Sequence, residues 1–180
     1  MRELALHLLD IAQNSVRAGA EQITIEIKEN ISENILLIKI SDDGQGMDPE
    51  RVEEVVDPFV TTRNTREVGL GLSLLKATAE NCEGRLSIEA HPGEGTEVSA
   101  EFMYDHIDRP PLGSIAETLV SIIAVAPGLE VIYQHKKGQQ KFSFTTSEVK
   151  KQLGEVDIRE PKILNWLEEY IREQTAEVRS

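Results

Sequence analysis

The chain has 180 residues, 39% of them hydrophobic, and one cysteine, Cys82. That is enough apolar material for one packed domain with a small appendage, and it rules out an internal disulfide or a thiolate zinc centre. Nineteen basic against 32 acidic residues leave a formal charge of −13, which repels phosphate backbones and anionic lipid and so argues against nucleic-acid and membrane binding, though not against a nucleotide in a local pocket. The opening stretch MRELALHLLDIAQNS turns polar too early for a secretory signal, and LVSIIAVAPGL is too short to cross a bilayer, so a cytoplasmic protein is expected.

Residues 3–20 repeat with helical period. Leu4, Leu8, Ile11 and Ser15 share a stripe, with Ala5, Leu9, Ala12 and Val16 beside it. Glu3, His7, Asp10, Asn14 and Arg17 fall on the opposite side, where His7, one turn before Asp10, reads as a surface histidine ahead of the alternative, a group approaching a bound phosphate. Alternation over QITIEIKE and the apolar run NILLIKIS predict two strands. Residues 48–59 predict a helix with Asp48 as its N-cap and Pro49 in its first turn. Residues 61–73 have no period and read as a loop, 72–84 as a helix ending at Gly84, and 85–91 and 95–103 as strands joined by the PGEG turn. DHIDRPP marks a break, so residues 1–105 are expected to form one unit and 106–180 a small α+β extension. In that extension we expect a helix over 113–126, a hairpin turning at Lys137 and Gly138, and two further helices, with Trp166 as a packing anchor in the last.

Four short patterns stand out. Asp10 and Asn14 lie four apart on one helix face. SDDGQGMD sets Asp42, Gly44 and Gly46 at the end of a strand; GLGL carries Gly69 and Gly71; GEGT carries Gly93, Gly95 and Thr96. Singly, an Asp–Asn pair is a solvated helix face and each Gly-x-Gly is a turn. In this order and on these elements, the set resembles the boxes of the GHKL superfamily, which covers DNA gyrase, heat-shock chaperone ATPases, sensor histidine kinases and MutL proteins. DIAQNSVRAGA is similar to its N box, SDDGQGM to its G1 box, DPFVTTR to its F box, GLGLSL to its G2 box and GEGT to its last glycine motif.

The resemblance implies a two-layer α/β sandwich of the Bergerat type, a mixed sheet with helices on one face, binding ATP and magnesium between helices and a short lid over Thr61 to Val68. It implies that Asp42 accepts a hydrogen bond from the adenine amine, with Gly44 and Gly46 letting backbone approach the base. Asn14 would coordinate magnesium and Asp10 would act as general base, one methylene shorter than the usual glutamate. Backbone of Gly69, Leu70, Gly71 and Leu72 at a helix start would meet phosphate, with Thr62, Arg63 and Thr96 as further contacts. Asp43 reads as a turn residue and Cys82 as a buried small one. The N box begins too early for an upstream helical hairpin with a phosphoaccepting histidine, so the phosphoacceptor is expected on a separate partner protein. Two outputs stay open: a stand-alone kinase acting on histidine or serine, and an ATP-gated switch that grips a partner and hydrolyses slowly. The extension is expected to serve partner or self-association, including a homodimer. Its last helix carries Ile163, Leu167, Tyr170 and Ile171 as an apolar stripe, for which plain intramolecular packing is the equal alternative.

Overall fold

A computed structural model describes residues 3–56 and 71–180. In chain order the elements are α1 (Leu4–Arg17), β1 (Gln22–Asn30), β2 (Ile35–Asp42), α2 (Pro49–Val56), α3 (Gly71–Asn81), β3 (Arg85–His91), β4 (Gly95–Met103), α4 (Ile115–Val125), β5 (Glu130–Lys137), β6 (Gln140–Thr145), α5 (Thr146–Leu153) and α6 (Pro161–Arg179). The six strands form one mixed sheet in the order β3-β4-β2-β1-β5-β6, all neighbours antiparallel except β1 and β5.

Period-two alternation gives the sheet its two faces. Ile23, Ile25 and Ile27 of β1 are opposite or adjacent in register to Ile40, Ile38, Val131 and Tyr133, and all are buried on one side. Val98, Ala100 and Phe102 of β4 extend that side. The helices lie over it, α1 against α3 and α4, and α6 against α4, β5 and β6. The other face is polar, with ion pairs Lys39–Glu97 and Lys28–Glu26. This is the expected two-layer sandwich. Among the described residues no helix is long and apolar enough to cross a membrane.

The C-terminal segment does not stand apart as a separate sheet. Its hairpin turns at Gly138 as expected, and β5 pairs in parallel with β1 over eight residues. The DHIDRPPLGS stretch is also built in. Pro111 and Leu112 carbonyls accept from the Leu4 and Ala5 amides at 3.0 and 2.8 Å, satisfying donors that a helix start leaves open. Glu3, at the N-cap, supplies no side-chain cap.

Leu167, Ile171 and Val178 of α6 are buried in the common core. Of the expected stripe, Leu167 and Ile171 are thus covered within the chain, Ile163 is partly covered and Tyr170 is exposed. Trp166 is not a packing anchor: it is half exposed and stacks on Tyr170, with centroids 5.4 Å apart. Its position one residue before Leu167 turns it outward from the buried stripe.

At the far end of the sheet, a carboxylate and an imidazole take positions that the alternation reserves for apolar side chains. Glu29 continues the series Ile23, Ile25, Ile27, and His135 continues Val131, Tyr133. Both are buried. Glu29 Oε1 meets His135 Nε2 at 2.8 Å and Arg179 Nε at 2.9 Å, while the Tyr104 hydroxyl donates to Oε2 at 3.0 Å. The Tyr133 hydroxyl lies 2.9 Å from His135 Nδ1. Burial pushes the Tyr133 phenol up, so it stays protonated.

Candidate functional site

The end of β2, the first half of the cleft wall, is fixed by Asp42 and Asp43. Asp43 Oδ1 accepts from the Glu21 and Gln22 amides at 2.8 and 2.9 Å, an anchor for the start of β1 that fits the turn role expected of it. Asp42 points the other way. Its Oδ2 accepts from Ser15 Oγ at 2.5 Å and its Oδ1 from the Gly44 amide at 2.9 Å. Each oxygen therefore holds one donor and keeps acceptor capacity.

Two glycines are required by how the turns pack. Gly46 has φ +67, and a Cβ there would sit 1.9 Å from the His91 carbonyl oxygen; Gly95 has φ +92, and a Cβ there would sit 1.9 Å from the Asp42 carbonyl oxygen. The β2–α2 turn and the β3–β4 turn thus press backbone on backbone, and the Gln45 carbonyl accepts from the Gly93 amide at 2.7 Å. Glycine at position 46 is demanded by this contact, not only by approach to a ligand.

A cavity of about 450 Å³ opens beside Asp42. The structure brings Asn14, Asp42, Gly46, Leu72 and Thr96 to its wall; Thr96 lies directly across from Asp42 in the β2–β4 register. Gly44 lies next to it, 3.0 Å from the Ala18 carbonyl measured from an added Cβ. Asp10 and Gly71 meet where α1 faces the start of α3: a Cβ on Gly71 would lie 3.1 Å from Asp10 Oδ2. Thr62, Arg63, Gly69 and Leu70, with the F box and lid, lie outside the described residues.

Ser15, Arg17, Gln45, Met47 and Arg51 also line the cavity, and sequence reasoning gave none of them a role there. Arg17 had a signal: it is three residues from Asn14 on the same face, and its Nη1 donates to Asn14 Oδ1 at 3.3 Å. Arg51 had none beyond its place in α2. His7 is a correction. It is 1% exposed, not a surface residue, because the polar side of α1 faces α3 and the cleft rather than water. Burial lowers its pKa, against the Gly71 backbone and the Asp10 charge. Cys82 is buried as expected, and its thiol is likewise raised by burial.

Asp42 at a strand end, Asn14 of α1 and Leu72 in the first turn of α3 thus meet at one cleft of a two-layer sandwich. The sequence comparison gives the family. Residues 2–106 match the family described as histidine kinase-, DNA gyrase B-, and HSP90-like ATPase, and the chain belongs to that family. It is 32% identical over 97 residues to a putative sensor protein of Shewanella frigidimarina, covering 53% of this chain and 15% of that one. It is 35% identical over 101 residues to the sensor protein SrrB of Staphylococcus aureus, covering 53% and 17%. The chain thus spans less than a fifth of these relatives' length. Its fold also resembles the N-terminal domain of a DNA repair protein, with TM-score 0.54 and 17% identity over 81% of this chain and 53% of the other; that likeness extends past residue 106 and concerns fold alone.

Proposed function

We propose that the protein binds ATP and magnesium in the Asp42 cleft and, as a stand-alone kinase-like enzyme, passes the terminal phosphate to a separate protein partner. The observation that carries this reading is Asp42, held by Ser15 and Gly44 with acceptor capacity left on both oxygens. An exocyclic amine of adenine satisfies such an acceptor; the carbonyl that guanine carries there does not. The cavity volume lies in the range of small-molecule sites, and Arg17 and Arg51 supply positive charge for a polyphosphate in an otherwise acidic chain.

In this reading Arg17 turns from Asn14 to phosphate and frees the amide oxygen for magnesium. Among the described residues no cluster of three or more His, Cys, Asp or Glu is arranged to hold a metal, so the remaining ligands would come from phosphate and water, as magnesium prefers. The start of α3 at Gly71 offers amide donors to phosphate. Asp10 is the candidate base, with Thr62, Arg63, Gly69 and Leu70 as further contacts. The second reading is an ATP-gated switch with slow hydrolysis. It is favoured by Asp10, whose short carboxylate is seated against Gly71.

The test is Asn14→Ala. We expect the magnesium-dependent part of ATP affinity to be lost, roughly ten-fold or about 1.4 kcal/mol, with an unchanged circular dichroism spectrum. An unchanged magnesium titration refutes the metal role. With γ-labelled ATP, label passing to a partner protein marks the kinase, and label released only as free phosphate marks the switch.

A further inference from the structure

β6 ends the strand order, and only β5 pairs with it. Among the described residues, no backbone group of residues 140–144 has a backbone partner outside that ladder. The outer row of N–H and C=O groups is therefore open to a further strand. The two sides of this edge carry opposite chemistry. On the helix side, Phe142 meets the Tyr170 ring edge on at 5.8 Å, and Tyr170 stacks on Trp166 with the ring planes 5° apart. α6 packs against α4 and over β5 and β6, so Tyr170, in contact with the sheet yet 37% exposed, faces outward over the edge, beside the half-exposed Trp166. Glu169 and Glu173 follow Trp166 on the same face of α6, and Lys162 precedes it by one turn. Both glutamates are exposed, and among the described residues neither has an ion-pair partner.

On the helix-free side of the sheet, the register sets three lysines in one row. Lys28 of β1 lies beside Lys136 of β5, and Lys136 beside Lys141 of β6. Neighbouring strands are about 4.8 Å apart, and like charges directly opposite each other destabilise a sheet. Among the described residues, only Lys28 of the three has a carboxylate in ion-pair range, Glu26 at 3.2 Å. In a chain of charge −13, this row is a local place for acidic groups.

We propose that β6 takes up an extended segment of another protein as a further strand, one in which arginine or lysine alternates with aspartate or glutamate. Successive side chains of a strand point to opposite faces. The cationic ones then lie against the Trp166 and Tyr170 rings beside Glu169 and Glu173, where ring faces and carboxylates both attract a cation. The acidic ones lie beside Lys141 and Lys136. Backbone bonds to β6 supply affinity, and the two charged sides select the segment. A second copy pairing through its own β6 fits less well, because it brings another lysine row up to the first. This edge shares no residue with the wall of the Asp42 cleft, so the inference is independent of the function proposed above.

Trp166 is the chain's one tryptophan, so its fluorescence reports binding at this edge. The probes are two blocked synthetic peptides of equal length and composition, one alternating arginine and glutamate, the other carrying the same residues in pairs, Arg-Arg-Glu-Glu. Neither has a net charge, so general attraction to an acidic chain does not separate them. The alternating peptide is expected to shift the Trp166 emission and to bind the full chain about ten-fold or more tightly than the paired one. By calorimetry, Trp166→Ala and Lys141→Glu, both at exposed positions, are each expected to weaken that binding about five-fold or more, with unchanged circular dichroism. Equal affinity for the two peptides, no binding of the alternating one, or wild-type affinity in either folded variant overturns the inference. So does a peptide-free dimer in light scattering that Trp166→Ala reduces to a folded monomer, since a second copy is then the occupant.

Discussion

A chain cut after residue 105 will fail to fold and will bind no nucleotide. The cut removes β5, the parallel neighbour of β1, leaving β1 with an open edge in the middle of what was a sheet. It removes α4, against which α1 packs, and the Pro111 and Leu112 carbonyls that receive the first amides of α1. Leu119, Ile122, Ile123, Tyr133, Leu167 and Ile171 all leave the common core. Burial of each such side chain contributes about 1.5–3 kcal/mol, whereas a whole domain is stable by only about 5–15 kcal/mol. Circular dichroism and ADP titration of a 1–105 fragment check this. A soluble, folded fragment that binds ADP would contradict this and support the two-unit division that the DHIDRPP break implies.

The second large effect is expected at Glu29, far from the cleft. Glu29→Ala strands the buried His135 imidazole, takes the acceptor from the half-buried Tyr104 hydroxyl and frees Arg179 at the end of α6. Removing one partner of a buried pair costs about 3–5 kcal/mol, or roughly 10 °C in Tm for a chain of this size. The pH dependence has a definite sign. Burial alone would raise the Glu29 carboxyl, but the His135 hydrogen bond, the Arg179 charge and the Tyr104 hydroxyl outweigh it and hold the pKa down at about 2, from 4.5. A lowered folded-state pKa means stability that is fully present above about 4.5 and is lost as pH falls towards 2. Acid denaturation of the wild type should therefore be steeper across that window than that of Glu29→Gln. Parallel curves would show that the network is not coupled to folding.

The local patterns were legible where each element's own residues decide its geometry. The alternation in β1, β2 and β4, Pro49 opening α2, and the glycine turns all follow from period and backbone freedom, and the structure has them. Non-local pairings were not legible. Nothing in LEVIYQHKK says that its neighbour is QITIEIKEN, since parallel pairing leaves no mark in either strand's period. The same holds for His7: helical period separates two sides of α1 but does not say that the polar side faces α3. Glu29 and His135 did leave a mark, as charged and polar residues in core-facing positions of their strands, and that mark becomes readable once the two strands lie side by side. For the cleft, Asp42 and Asn14 came from their motifs, whereas Ser15 and Arg51 needed the fold, because one was counted into an apolar stripe and the other lay in a helix that carried no motif.

The central claim is that Asp42 reads an adenine. Calorimetric titration of the full chain with ATP and GTP in the presence of magnesium, for wild type and Asp42→Asn, tests it most directly. Losing a buried acceptor costs about 1–3 kcal/mol, so Asp42→Asn should bind ATP about ten-fold or more weakly than wild type, with thermal unfolding near the wild-type value, and wild type should favour ATP over GTP by a similar factor or more. Equal ATP affinity in wild type and Asp42→Asn would contradict the account.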